Sequence, residues 1–146
     1  MSASTKLSTA VKALCYLAES YPEPKSSTEI SLRIGANASK LRQLLSLLSR
    51  QNIVRSEKGI TGGFILTRAP KDLHIQEIYC AIEDRKAFHL DVNQVNGSDA
   101  SETGKFNDYF TELFADVQVD IENKMRKIYL NNVMDTLQIK SNFNRN

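Results

Sequence analysis

The chain has 146 residues, 41% of them hydrophobic and 8% aromatic, with 19 Lys and Arg against 17 Asp and Glu, for a formal charge of +2. That length makes one small domain, or one plus an appendage, and buries roughly two thirds of the unfolded surface, so the core needs no disulfide or structural metal. No apolar run approaches the ~18 residues of a membrane span, the first residues carry no apolar leader, and two cysteines 65 positions apart form no disulfide framework, so a cytoplasmic protein without a membrane partner is expected.

Leu7, Ala10, Val11, Leu14, Leu17 and Ala18 recur at helical spacing, which predicts an amphipathic helix from about residue 5 to 20, ended by Pro22 and Pro24. Ser26-Ser27-Thr28-Glu29 offers a capping box for a short helix over 28–34, with Ile30, Leu32 and Ile34 as its apolar positions. Gly35 closes that helix. A third helix follows from Asn37 or Ala38 to about Gln51, carrying Leu41, Leu44, Leu45, Leu47 and Leu48. Two short helices joined by a tight turn containing Gly make a helix-turn-helix signature.

Beyond Asn52 the pattern turns β-prone. Ile53 to Ser56 and Gly63 to Arg68, joined by a Gly-rich loop, read as a hairpin, and a hairpin directly behind a helix-turn-helix is a wing. A fourth helix over about 75–83 places Ile75, Ile78, Tyr79 and Ile82 on one side. Residues 91–104 lack apolar periodicity and read as a mobile loop. From Lys105 to about Ile128 a long helix carries a broad apolar stripe, with Leu130 to Ile139 as a last helical piece and a frayed tail from Ser141. The expected fold is mainly α with a small β-hairpin: a winged helix-turn-helix domain at 1–85, a flexible loop at 86–104, and a dimerisation helix with tail at 105–146.

The overall charge of +2 conceals an asymmetry. Residues 33–71 hold eight basic side chains against Glu57 alone, a net +7, while the rest of the chain sums to −5. Such a concentrated field points to an anionic partner. On the third helix, the side opposite the leucines presents Ser39, Arg42, Gln43, Ser46 and Arg50 with no acid among them. Arg bonds a guanine edge bidentately, Gln bonds adenine, and Ser bonds bases or phosphate, so this face suits double-stranded DNA. Readers of this type use the N-terminal part of the helix most, which ranks Ser39, Arg42 and Gln43 first and gives Arg50 a phosphate contact. Lys58 at the wing tip is placed to reach a minor groove, and Gly62 and Gly63 serve the turn.

These residues also carry a family likeness. Ser4-Thr5-Lys6, Ala13-Leu14-Cys15-Tyr16-Leu17-Ala18, Ser39-x-Leu41-x-Gln43-Leu44-Leu45, Gly59-x-x-Gly62-Gly63-Phe64-x-Leu66 and Ala81-Ile82-Glu83 together resemble the Rrf-two family of bacterial winged-helix transcription regulators over about residues 4–90. The resemblance implies a homodimer formed through the long C-terminal helix and bound to a two-fold-related operator. It implies base contacts from the positions of Ser39, Arg42 and Gln43 and a minor-groove approach by Lys58. Thr5 and Lys6, in the first motif, join the candidate DNA contacts; Phe106, Phe110, Leu113, Val117, Ile121 and Met125 are the candidate dimer contacts.

Two departures qualify the likeness. Cluster-binding relatives often carry Glu at the position of Arg42 and Arg at that of Lys58, so the operator does not transfer. They also hold three cysteines in the loop before the long helix, where residues 86–105 here have none. Iron–sulfur ligation needs thiolates, and His89 alone does not replace them, so the resemblance narrows to the cluster-free branch with no cofactor. Cys15 reads as a buried thiol and Cys80 as a possible thiol sensor, opposed by the acids near it. His74 and His89 read as surface or satisfied histidines and no metal site is expected. The expected function is a sequence-specific DNA-binding regulator acting as a dimeric repressor, with its effector unidentified. The alternative is a protein-interaction module docking through the long helix. Nucleophile elbow, P-loop and metal spacings are absent, so no enzyme is expected.

Overall fold

The computed structural model describes residues 2–83 and 102–143. In chain order it contains α1 (Ala3–Ser20), α2 (Ser27–Ile34), α3 (Ala38–Arg50), β1 (Val54–Glu57), β2 (Gly63–Leu66), a single 3-10 turn (Pro70–Asp72), α4 (Ile75–Ile82), α5 (Glu102–Arg126) and α6 (Leu130–Thr136). The described residues divide into two units: 2–83 with 125–143 form one, and α5 up to Lys124 lies in the other. The loop expected over 86–104, together with His89, lies outside the described residues except for 102–104, which open α5.

In the first unit each helix is set by its ends and its apolar face. Ser2 caps α1 by accepting from the Thr5 amide at 3.2 Å, and Ala10, Ala13, Leu14, Leu17 and Ala18 face the core. Ser26 caps α2 from the Glu29 amide at 3.1 Å, but the reciprocal half of the expected capping box is not made: the Glu29 carboxylate accepts from the Ser26 hydroxyl at 3.2 Å instead. Gly35, at φ +70, ends α2 in the left-handed region, with its N–H donated back to Ser31. Ile30 is fully buried, but Leu32, read as apolar-face, points to solvent, because two residues along a helix turn the side chain by about 200°.

Asn37 caps α3 from the Lys40 amide at 3.0 Å, and Leu41, Leu44, Leu45 and Leu48 enter the core. β1 and β2 pair antiparallel with Val54 opposite Leu66 and Glu57 opposite Gly63, leaving a five-residue loop over 58–62. The wing is anchored from outside as well. Lys25 and Phe64 exchange backbone hydrogen bonds at 3.0 and 2.7 Å, fastening β2 to the segment that enters α2. This explains the glycine pair: a Cβ on Gly63 would overlap the Lys25 backbone, and one on Gly62 would overlap the Glu57 carbonyl.

His74 caps α4 through Nδ1, accepting from the Glu77 amide at 3.1 Å, while Glu77 accepts in return from the His74 amide at 3.2 Å. Backbone bonds from Ile75 to Ile128 and from Leu130 to Leu73, both 2.8 Å, seat α6 in this unit, with Leu130 and Met134 buried. The piece over 130–143, grouped with the long helix in the sequence reading, therefore belongs with the winged core. The tail expected to fray is pinned as far as Phe143. Asn142 donates its amide to Ala18 at 2.9 Å and its side chain to Glu19 at 2.6 Å, satisfying carbonyls at the end of α1, and Phe143 packs on Tyr21 with ring centroids 4.4 Å apart.

In the second unit, α5 exposes Phe106, Tyr109, Phe110, Leu113 and Val119. Tyr109 and Phe110 meet edge to face at 5.5 Å.

Candidate nucleic-acid interface

Helical spacing brings Ser39, Arg42, Gln43, Ser46 and Arg50 together with Leu47 along one shallow groove of α3. The leucines on the opposite face lock this helix into the core, so the groove is the surface it offers to solvent. Arg42 is steered by α2: its Nε donates to the Ser27 hydroxyl at 3.3 Å, which leaves its two terminal NH2 groups without a protein partner among the described residues. Those groups form the planar fork that pairs with two acceptors on a guanine edge or with a phosphate.

Ion pairing shows which charges are available. Within residues 33–71, Arg33 pairs with Glu19 at 3.6 Å, Arg55 with Glu57 at 2.9 Å and Arg68 with Glu77 at 3.1 Å. Lys40, Arg42, Arg50, Lys58 and Lys71 have no carboxylate partner among the described residues. The uncompensated field therefore lies mostly on α3 and the wing. Lys58 shares a depression at the wing with Glu23, Glu29 and Glu57, which moderates its potential.

The remaining candidates scatter. Lys6 is held by Glu83 at 3.2 Å, where Glu83 is nearly buried, and Thr5 bonds the Ser2 hydroxyl at 2.8 Å; neither lines the α3 groove. Of the dimer candidates, Phe106, Phe110 and Leu113 are exposed, Val117 and Ile121 are half-buried, and Met125 packs against the winged core. Sequence reasoning gave Ile60 no role, and it read Tyr109 within the apolar stripe of the long helix without counting it among the dimer candidates. Ile60 stands fully exposed at the wing tip, a β-branched residue between Gly59 and Thr61 with no strand neighbour. Tyr109 is exposed beside Phe110 on α5.

Neither cysteine offers a set of metal ligands. Burial, with Glu19 adding to it, pushes the Cys15 thiol up to about 11, so it stays neutral. Cys80 is exposed, and its sulfur accepts from the Gln76 amide at 3.2 Å. Among the described residues no group of three or more His, Cys, Asp and Glu is placed to hold a metal ion. No described helix is long and apolar enough to cross a membrane.

A helix-turn-helix with an anchored wing, presenting an acid-free Arg/Gln/Ser groove, defines a winged-helix DNA-binding protein. Within that class the chain belongs to the Rrf2 family, whose model, described as an iron-dependent transcriptional regulator, matches residues 3–136. It is similar to YwnA of Bacillus subtilis strain 168, which bears the provisional name of HTH-type transcriptional regulator, at 27% identity over 118 residues, 81% of this chain and 87% of that one. Among solved structures it resembles T. potens IscR at 27% identity with a TM-score of 0.68, covering 94% of this chain and 88% of that one. A provisionally named transcriptional regulator from Lactobacillus plantarum shares the fold, with a TM-score of 0.79 at 18% identity and coverage of 91% and 89%. The protein is thus a transcriptional regulator and not an enzyme. The whole chain has two cysteines, and among the described residues no His, Cys, Asp and Glu cluster matches the iron of the family description.

Proposed function

We propose that the chain is a homodimeric repressor that reads a pseudo-palindromic operator through α3 and occludes the promoter. The observation that carries this reading is the α3 groove, where Ser39, Arg42, Gln43, Ser46 and Arg50 converge with no acid and with the Arg42 fork open to solvent. Arg42 and Gln43 read base edges, Ser39 and Ser46 supply hydrogen bonds to bases or phosphate, and Arg50 with Lys58 grips the backbone. The exposed Phe106, Tyr109, Phe110 and Leu113 of α5 support self-association, since an apolar helical face of this kind is buried in a stable assembly. Acting on DNA as a bacterial regulator, the protein would work in the cytoplasm.

Selection of bound sequences from random duplexes, followed by salt titration of the winner, tests the reading. A two-fold-related site with half-sites about 34 Å apart is expected, bound with an affinity that falls steeply as salt rises. Equal affinity for every duplex would sink it. Light scattering on the free protein tests the dimer; a monomer would leave the α5 face to a different protein.

A further inference from the structure

Away from the α3 groove, α1, the end of α2, and α6 with the segment that follows it line an open cavity of about 650 Å³, within the size range of small-molecule sites. Its inner wall is apolar: Val11, Ile34, Val133 and Ile139 are half-buried there, and the neutral Cys15 thiol lies beside them. Its mouth is charged and unbalanced. Lys12, Arg33 and Lys140 are exposed around it against Glu19 alone. Glu19 is already paired with Arg33, which also lies over the Tyr16 ring at 5.6 Å, while Lys12 and Lys140 have no carboxylate partner among the described residues. The wall also includes Gln138, held at φ +59, where a side chain is disfavoured.

We propose that this cavity binds a small organic carboxylate, its apolar body against Val11, Ile34, Val133 and Ile139 and its acid group between Lys12 and Lys140. An apolar floor selects against hydrophilic anions, and two unpaired ammonium groups at the rim select against amines and neutral alcohols of the same shape. Arg33 and Ile34 are the last residues of α2 before Gly35, so an occupant touches the element that leads into α3. The site stands independently of the DNA-reading function, and its test uses no DNA, so either can fail without the other.

Calorimetric titration of the full chain with naphthoate, and separately with naphthylmethylamine, tests the proposal. One naphthoate per chain is expected, about tenfold tighter than the amine. In a Lys12→Ala/Lys140→Ala variant that preference should vanish, with circular dichroism unchanged because both side chains lie at the surface. Leu137→Glu, also at an exposed position on the cavity wall, should repel naphthoate and leave the amine bound. Equal binding of the two probes by the wild type, a preference that survives loss of both lysines, or no heat at millimolar naphthoate overturns the proposal. So does binding seen only after a dimer is diluted apart, which would mean that a second copy fills the cavity.

Discussion

The side chain of Arg42 reaches back across the helix-turn-helix, so that its Nε meets the Ser27 hydroxyl at 3.3 Å. One donor of the guanidinium is thereby fixed to the element in front of the recognition helix, and the remaining fork is presented in a defined direction. Pre-orientation of this kind lowers the entropy lost when the fork engages a base.

Arg42→Ala should therefore relax base preference at one position of each half-site, at a cost of about 1–3 kcal/mol in discrimination. Ser27→Ala should produce a smaller loss of the same kind, since the fork survives but is no longer steered. Binding to single-base operator variants measures both, and an unchanged preference profile in Arg42→Ala would contradict the assignment.

Lys58→Ala should act differently. As a backbone contact, its loss should weaken all sequences about equally and make the plot of log affinity against log salt shallower by about one unit.

Gly63→Ala should destabilise the fold by at least about 2 kcal/mol, because the added Cβ meets the Lys25 backbone and the φ of +155 is strained for any side chain. Thr61→Ala in the exposed loop should stay within about 0.5 kcal/mol. Denaturant midpoints of the two variants provide the check.

Glu77 links the winged core to pH. Burial alone would raise its carboxyl, but the His74 amide and the Arg68 guanidinium outweigh burial and hold it below the usual carboxylate range. A depressed carboxyl contributes stability that is present above its unfolded value, near 4.5, and lost as pH falls through the folded one. Wild type should thus exceed Glu77→Gln in stability at neutral pH, and the gap should close progressively as pH falls below that unfolded value. A gap that stays constant across an acid series of melting curves would refute the linkage.

On α5, Phe110→Asp combined with Leu113→Asp should convert a dimer to a monomer in light scattering without loss of helix content, since both side chains are exposed in the isolated chain.

Much of this was legible in the sequence where the signal is periodic or local. The leucine face of α3, the caps at Ser26 and Asn37, and the wing's glycines follow from spacing and from backbone requirements that short segments express. What was not legible depends on partners far along the chain. Gly63 could be read as a turn residue, but not as the place where Lys25 passes; Lys6 could be read as a free cation, but not as the partner of Glu83. The Ser141–Phe143 stretch looked like a polar end, because nothing in it announces that α1 leaves open carbonyls for Asn142. Leu32 misled because composition was weighed ahead of helical phase.

The two hydrogen bonds between Lys25 and Phe64 make the wing a fixed jaw of a caliper rather than a loose finger. In the proposed binding mode, a duplex gripped by both α3 and an anchored hairpin would come to their spacing by adjusting its own groove width. Sequences that narrow or widen cheaply would be favoured at base pairs that no side chain touches.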